Sequence, residues 1–268
     1  TSNSIYWLDH NRHVVAFKNG QVEMISNPYD KEISAFTTVS DCLAYRMEVR
    51  GRPVIVFQFP SEERTLVYDI VENSWSEWGY WVTGANEYTA YLGRSYCYSP
   101  EWGLHLVGSR NDSKIYFMKS DYHLDEDEAI RFKKVSGHID YGTTARKRSN
   151  ELRIKAKRGE GLVIPAVSPS TDTTLRNAKL LLRWNDDNKG WSNYQEYSLG
   201  SIGESEIVIR MYPKGAYRTR QYEVTVTDAV NVIFSKFFFS GKLLLNFQTW
   251  ERFYQAVLHC EQLPFIKD

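Results

Sequence analysis

The sequence has 268 residues, in which 33 Lys and Arg balance 33 Asp and Glu. A formal net charge of zero excludes a whole-protein electrostatic attraction to nucleic acid or to an anionic membrane. The three cysteines, Cys42, Cys97 and Cys260, are widely spaced and form no C-x-x-C pair. Their spacing argues against a disulfide framework and a zinc site. It favours a chain that folds in a reducing cytoplasm.

The composition predicts an all-β fold. Aromatic residues make up 15% of the chain, and such side chains favour pleated, half-buried strands. No apolar stretch approaches the roughly 18 residues that a spanning helix needs, so we expect no membrane contact. The first residues lack the basic and then apolar pattern of a signal peptide. The sequence does not begin with Met, and an apolar strand follows almost at once. We expect the numbering to begin inside a longer natural chain.

Residues 1–135 contain a repeat with a period of about 50 residues. The apolar runs IYWL at 5–8, VIVF at 54–57 and LHLV at 104–107 are each followed by a polar turn and a second apolar run. Several strands per unit at this period are typical of the kelch-like blades of a β-propeller. Because about two and a half repeats do not close a propeller, we expect further blades before Thr1 or several chains that complete one ring.

The second repeat contains the tryptophan-rich segment TLVYDIVENSWSEWGYW at 65–81. Its position in the repeat predicts that Tyr68 and Trp75 pack against a neighbouring blade. The alternative is a carbohydrate or peptide platform made of Trp75, Trp78 and Trp81, since tryptophan serves both purposes.

After about residue 135 the repeat stops and strictly alternating strands begin. In 221–227 the apolar side chains of Tyr222, Val224 and Val226 share one face. Antiparallel sheets commonly have one buried and one solvent-exposed face, so this pattern predicts a β-sandwich or jelly-roll-like domain over residues 136–238.

The turn WNDDNKGWS at 184–192 looks like an Asp-box hairpin turn, which is a structural element. The alternative is calcium binding by Asp186 and Asp187.

Residues 239–268 are predicted to form a helical or extended docking segment. Apolar side chains follow helical spacing there, which favours an amphipathic helix that packs on its own subunit or on a neighbour. The candidate docking or oligomer contacts are Phe247, Trp250, Phe253, Tyr254 and Val257.

A basic stretch between residues 131 and 158 is the main candidate for a binding surface. One interpretation is that these residues lie on solvent-exposed strand faces. The alternative is a positively charged strip that binds nucleic acid or an acidic partner. The candidate contacts are Arg146, Lys147, Arg148, Lys155, Lys157 and Arg158. The sequence contains no G-x-S-x-G elbow, P-loop or H-E-x-x-H motif, so we predict neither enzymatic activity nor a cofactor or metal.

The order of these segments resembles the packaged-DNA stabilisation (tail hub, or head-completion) proteins of short-tailed bacteriophages. The resemblance spans roughly residues 5–238. Its segments are SIYWL (4–8), FQFP (57–60), TLVYD (65–69), WSEW (75–78), LVGS (106–109), IYF (115–117), LRWNDD (182–187) and EVTVTDAV (223–230).

The resemblance implies a non-enzymatic virion protein of the tail or neck, assembled in the host cytoplasm. Such proteins form rings, contact the portal or its adaptor, carry tail spikes or fibres and stabilise packaged DNA, which makes DNA a further candidate partner.

Two other classes of protein stay open. One is a carbohydrate-binding or sialidase-like propeller, against which the single Asp-box-like turn counts. The other is a kelch-type adaptor, against which the non-blade residues 136–238 count.

Overall fold

The computed structural model describes residues 4–82, 84–85, 87–119, 123–125, 128–158, 178–200, 206–230, 232–243 and 265–267. Strands dominate these ranges, accompanied by one short α-helix, α1 (Asp30–Ala35), and a 3₁₀ turn (Pro60–Glu62). The all-β prediction is therefore confirmed. The chain divides into one unit of Thr1–Glu128 with Leu263–Asp268 and a second unit of Ala129–Gln262.

The first unit is built from antiparallel sheets that follow one another along the chain. The first sheet contains β1 (Ile5–Leu8), β2 (Val14–Lys18) and β3 (Gln21–Met24). The second contains β4 (Leu43–Val49), β5 (Arg52–Phe59), β6 (Arg64–Asp69), β7 (Ser74–Val82) and β8 (Glu87–Ala90). The third contains β9 (Gly93–Ser99), β10 (Leu104–Ser109) and β11 (Ile115–Lys119). Two-residue strands follow, β12 (Leu124–Asp125) and β13 (Glu128–Ala129).

The second sheet is packed on both of its faces, so the three sheets are stacked. Successive strand residues point to opposite faces, and β5 is buried on each. Ile55 and Phe57 pack against Val14 of the first sheet, in a core that also takes in Ile33 of α1. On the opposite face, a separate core joins the second sheet to the third. Its members are Met47, Val49, Val54, Val56, Val67, Tyr91, Leu92, Val107, Tyr116 and Met118.

The tryptophans of β7 take part in this packing. The indole N–H of Trp75 donates a 2.7 Å hydrogen bond to the carbonyl oxygen of Ile25, and its ring lies 5.1 Å from that of Tyr68. Trp78 meets the ring of Tyr91 edge-on at 5.3 Å. These contacts support the packing interpretation of the segment over the platform alternative.

The second unit is a sandwich of two antiparallel sheets. One sheet has the order β14 (Phe132–Val135), β20 (Arg220–Val226), β16 (Lys179–Asp186), β17 (Gln195–Ser198). In the other, β15 (Lys147–Arg158) lies between β21 (Val232–Leu243) on one side and β18 (Glu206–Met211) with β19 (Ala216–Tyr217) on the other. Both sheets contribute to one core. Its members include Leu152, Ile154, Leu180, Leu182, Ile207, Ile209, Tyr222, Val224 and Phe234.

Two features differ from the predicted domain limits. Residues 132–135, assigned by the repeat to the first domain, form β14 and pair with β20 in the second unit. Residues 239–243 continue β21, and β22 (Phe265–Lys267) pairs with β11 of the first unit. The predicted terminal helix, with its candidate contacts Phe247, Trp250, Phe253, Tyr254 and Val257, lies outside the described residues.

Candidate functional site

The outward face of β15 carries a row of cations. Leu152, Ile154 and Ala156 point into the sandwich core, and the residues between them therefore point outward. Those residues are Arg153, Lys155 and Lys157. A bulge between Ser149 and Glu151 shifts the alternation, so that Arg148 is also exposed on the outward face.

The neighbouring strands add further cations to the same face. Arg153 stands directly opposite Arg210 of β18, and Lys155 stands directly opposite Lys236 of β21. Arg148 is opposite Lys242. We call this surface the basic face, and its members are Arg148, Arg153, Lys155, Lys157, Arg210, Lys236 and Lys242.

Only part of this charge is balanced within the face. Glu151 contacts Arg153 at 2.6 Å and Arg210 at 3.7 Å, and Glu206 contacts Lys155 at 3.0 Å. A hydrogen bond from Arg153 holds the pKa of Glu151 below its usual value, so this carboxylate is ionised at neutral pH. Like charges directly opposite one another destabilise a sheet. With two carboxylates against seven cations, the basic face keeps an excess of positive charge.

The structure places the predicted contact residues in different environments. Arg148, Lys155 and Lys157 belong to the basic face, and Arg146 is exposed immediately before β15. Arg158 ends the strand, and its side chain is outside the described part of the chain.

Lys147 requires a correction, because its side chain points inward and is only 4% exposed. Its Nζ donates hydrogen bonds of 2.6 Å to the carbonyl oxygens of Thr143 and Arg218. Burial lowers the pKa of this ammonium group. Lys147 thus fixes two loops and is not part of the exposed surface.

The carboxylates of the Asp-box-like turn bind it to residues 218–220, at and just before the start of β20. Asp186 forms a bidentate ion pair with the fully buried Arg220, and Asp187 accepts backbone N–H bonds from Arg218 and Thr219. Asp187 and Asn188 adopt left-handed backbone angles, φ 52° and 57°, which Asp and Asn tolerate better than most residues. A shallow polar cavity of about 370 Å³ lies beside the turn. Among the described residues, no cluster of three or more His, Cys, Asp or Glu could hold a metal ion.

The outward face of β20 is not the wet surface that the alternation predicts. Glu223 is 1% exposed, because Arg183, Lys133 and Tyr194 cover it. Burial raises the pKa of Glu223, but hydrogen bonds from Arg183 and Tyr194 outweigh that effect, so its pKa is lowered. The guanidinium carbon of Arg183 lies 4.9 Å from the ring centroid of Trp191. This cluster of ion-paired and aromatic side chains covers the outward face of the sheet around Glu223.

Comparisons with known proteins identify no family. No protein-family model and no curated protein matches the sequence. Among solved structures, an exo-β-1,3-galactanase from Phanerochaete chrysosporium is 6% identical, with a TM-score of 0.22, over 84% of this chain and 64% of that one. A glycoside hydrolase is also 6% identical, with a TM-score of 0.18, over 84% and 69%. This chain thus covers less than two thirds of the galactanase, and superpositions this poor carry no argument about function.

Within the described ranges, no helix has the length and hydropathy to cross a lipid bilayer.

Proposed function

We propose that this chain is a non-enzymatic structural protein of a bacteriophage virion, acting in the tail hub or neck, where it helps to retain packaged DNA. The basic face is the observation that carries the proposal. The cations that β15, β18 and β21 bring together are spread across a rigid sheet, and DNA presents one phosphate charge for about every 1.7 Å of helix axis.

The stacked sheets of the first unit support the same proposal. We interpret them as successive blades of a β-propeller that other blades or other copies complete into a ring. The portal or its adaptor would contact this ring from one side, and tail spikes or fibres would attach to it. A protein that resists the outward pressure of packaged DNA needs stiff sheets and large interfaces, and both units consist of packed antiparallel sheets. Of the predicted 239–268 segment, the part that follows β21 is the proposed docking element.

The proposal predicts salt-dependent binding of the purified chain to duplex DNA of any sequence. Fluorescence anisotropy with a labelled 30-base-pair duplex, titrated at several salt concentrations, measures it. Each phosphate contact contributes about −0.9 to the slope of log K against log salt, so engagement of four or more cations of the basic face gives a slope of about −3.6 or steeper. A slope near zero, or no binding at low salt, would contradict a DNA contact and favour an acidic protein partner.

A further inference from the structure

The first sheet of the first unit has apolar residues on both faces. Its inner face, with Tyr6, Leu8 and Val14, belongs to the core shared with the second sheet. Its outer face carries two rows of residues paired across the three strands. These outer rows are Ile5–Phe17–Val22 and Trp7–Val15–Met24.

No member of the outer rows is polar, although most of them face solvent. Ile5 is 63% exposed, Val22 60% and Met24 44%, whereas Val15 at the centre of the array is 6% exposed. An antiparallel sheet with one wet face carries polar residues on that face. A contiguous exposed apolar patch marks a contact with another protein, a membrane or a ligand.

The opposite end of the stack is apolar as well. On the third sheet, Val107 and Tyr116 point toward the second sheet. The residues that alternate with them face away. They include Cys97, Leu104, Leu106 and Ile115, of which Ile115 is 69% exposed, together with Ser95 and Ser99 of β9. Both ends of the stack therefore present apolar residues, on the outer rows at one end and on β10 and β11 at the other.

We propose that the outer rows pack against the outward face of the third sheet of a second copy of this chain. Within the stack, the first sheet meets the second, and the second meets the third through its opposite face. Continuing this arrangement between copies joins the two apolar ends, with the facing sheets about 10 Å apart. Such a head-to-tail contact closes into a ring when the rotation allows it. The inference rests on the proposed ring-forming role and identifies the surfaces that would form the ring.

Sedimentation velocity of the whole chain tests the contact with one variant on each face. Val22→Glu places a charge in the outer rows, and Ile115→Glu places one on the opposite end. We expect the unaltered chain to associate and each variant alone to sediment as a monomer. A mixture of the two variants is expected to form dimers, because each variant keeps the face that the other has lost. Gln21→Glu adds the same charge to β3 on the inner-facing side and is expected to leave association unchanged.

Several results would overturn the inference. They are an unaltered chain that stays monomeric at about 100 μM, an Ile115→Glu variant that associates normally, and a mixture that remains monomeric. Circular dichroism checks the fold of each variant, and Val22→Ser replaces Val22→Glu if the charged variant unfolds. The DNA titration is independent of this test. Association without DNA binding would remove the proposed function and leave the interface, and the reverse result would remove only the interface.

Discussion

Replacing Asp186 with alanine is expected to lower the free energy of unfolding of the second unit by about 3–5 kcal/mol, the typical cost of leaving one member of a buried ion pair alone. Arg220 is 0% exposed, and its Nε and Nη2 lie 2.5 and 2.7 Å from the two carboxylate oxygens of Asp186. Burial acts to lower the pKa of Arg220, but the hydrogen bonds and charge of Asp186 outweigh it, so the pKa is raised. The guanidinium stays charged when its partner is removed.

Hydrogen exchange followed by mass spectrometry on peptides from β16 and β20 measures this effect in the second unit alone. Lys189→Ala is the matched control, because it removes an exposed ion pair of the same turn, 3.7 Å from Asp187, and should change stability by less than about 0.5 kcal/mol. The double variant Asp186→Ala, Arg220→Met also removes the unpaired buried charge. It is expected to recover part of the free energy of unfolding that Asp186→Ala loses. Equal protection in Asp186→Ala and Lys189→Ala would show that the pair does not stabilise the sandwich.

The second large effect is expected on DNA affinity. The triple variant Lys155→Gln, Lys157→Gln, Lys236→Gln removes three charges from the basic face. If each contacts phosphate, the slope of log K against log salt becomes about 2.7 less steep, and affinity at 0.1 M salt falls by about 10²- to 10³-fold. The variant is expected to fold normally, because it also relieves the like-charge pair of Lys155 and Lys236.

The control for this prediction removes the same number of charges elsewhere in the second unit. Lys179→Gln, Lys189→Gln, Lys214→Gln alters three lysines outside the basic face and should change affinity only slightly. An equal loss in both variants would indicate a net-charge effect without a defined surface. An unchanged affinity in the first variant would exclude the basic face as the contact.

Strand alternation in the sequence predicts much of the fold. The apolar side of 221–227, with Tyr222, Val224 and Val226, agrees with the core of the sandwich. Alternation fails at Glu223, where an apolar–polar pattern predicts a solvent face. The covering side chain of Tyr194 comes from a loop outside β20, and periodicity within one strand contains no information about it.

The basic face is predicted only in part, for a similar reason. Arg153 could have been found from the sequence, because it alternates with Leu152 and Ile154 as Lys155 does. Arg210 and Lys236 join the face through pairing with distant strands, and the register of those pairs is not readable from a single sequence. The inward turn of Lys147 follows from the bulge between Ser149 and Glu151, which shifts the alternation along β15.

Immunogold electron microscopy of gradient-purified phage particles, with an antibody raised against the purified chain, tests the proposed role most directly. The account predicts gold at the neck or tail hub of every intact particle and an equal number of copies in each. Gold that is absent from particles, while the protein remains in the supernatant of the same lysate, would contradict a structural role in the virion.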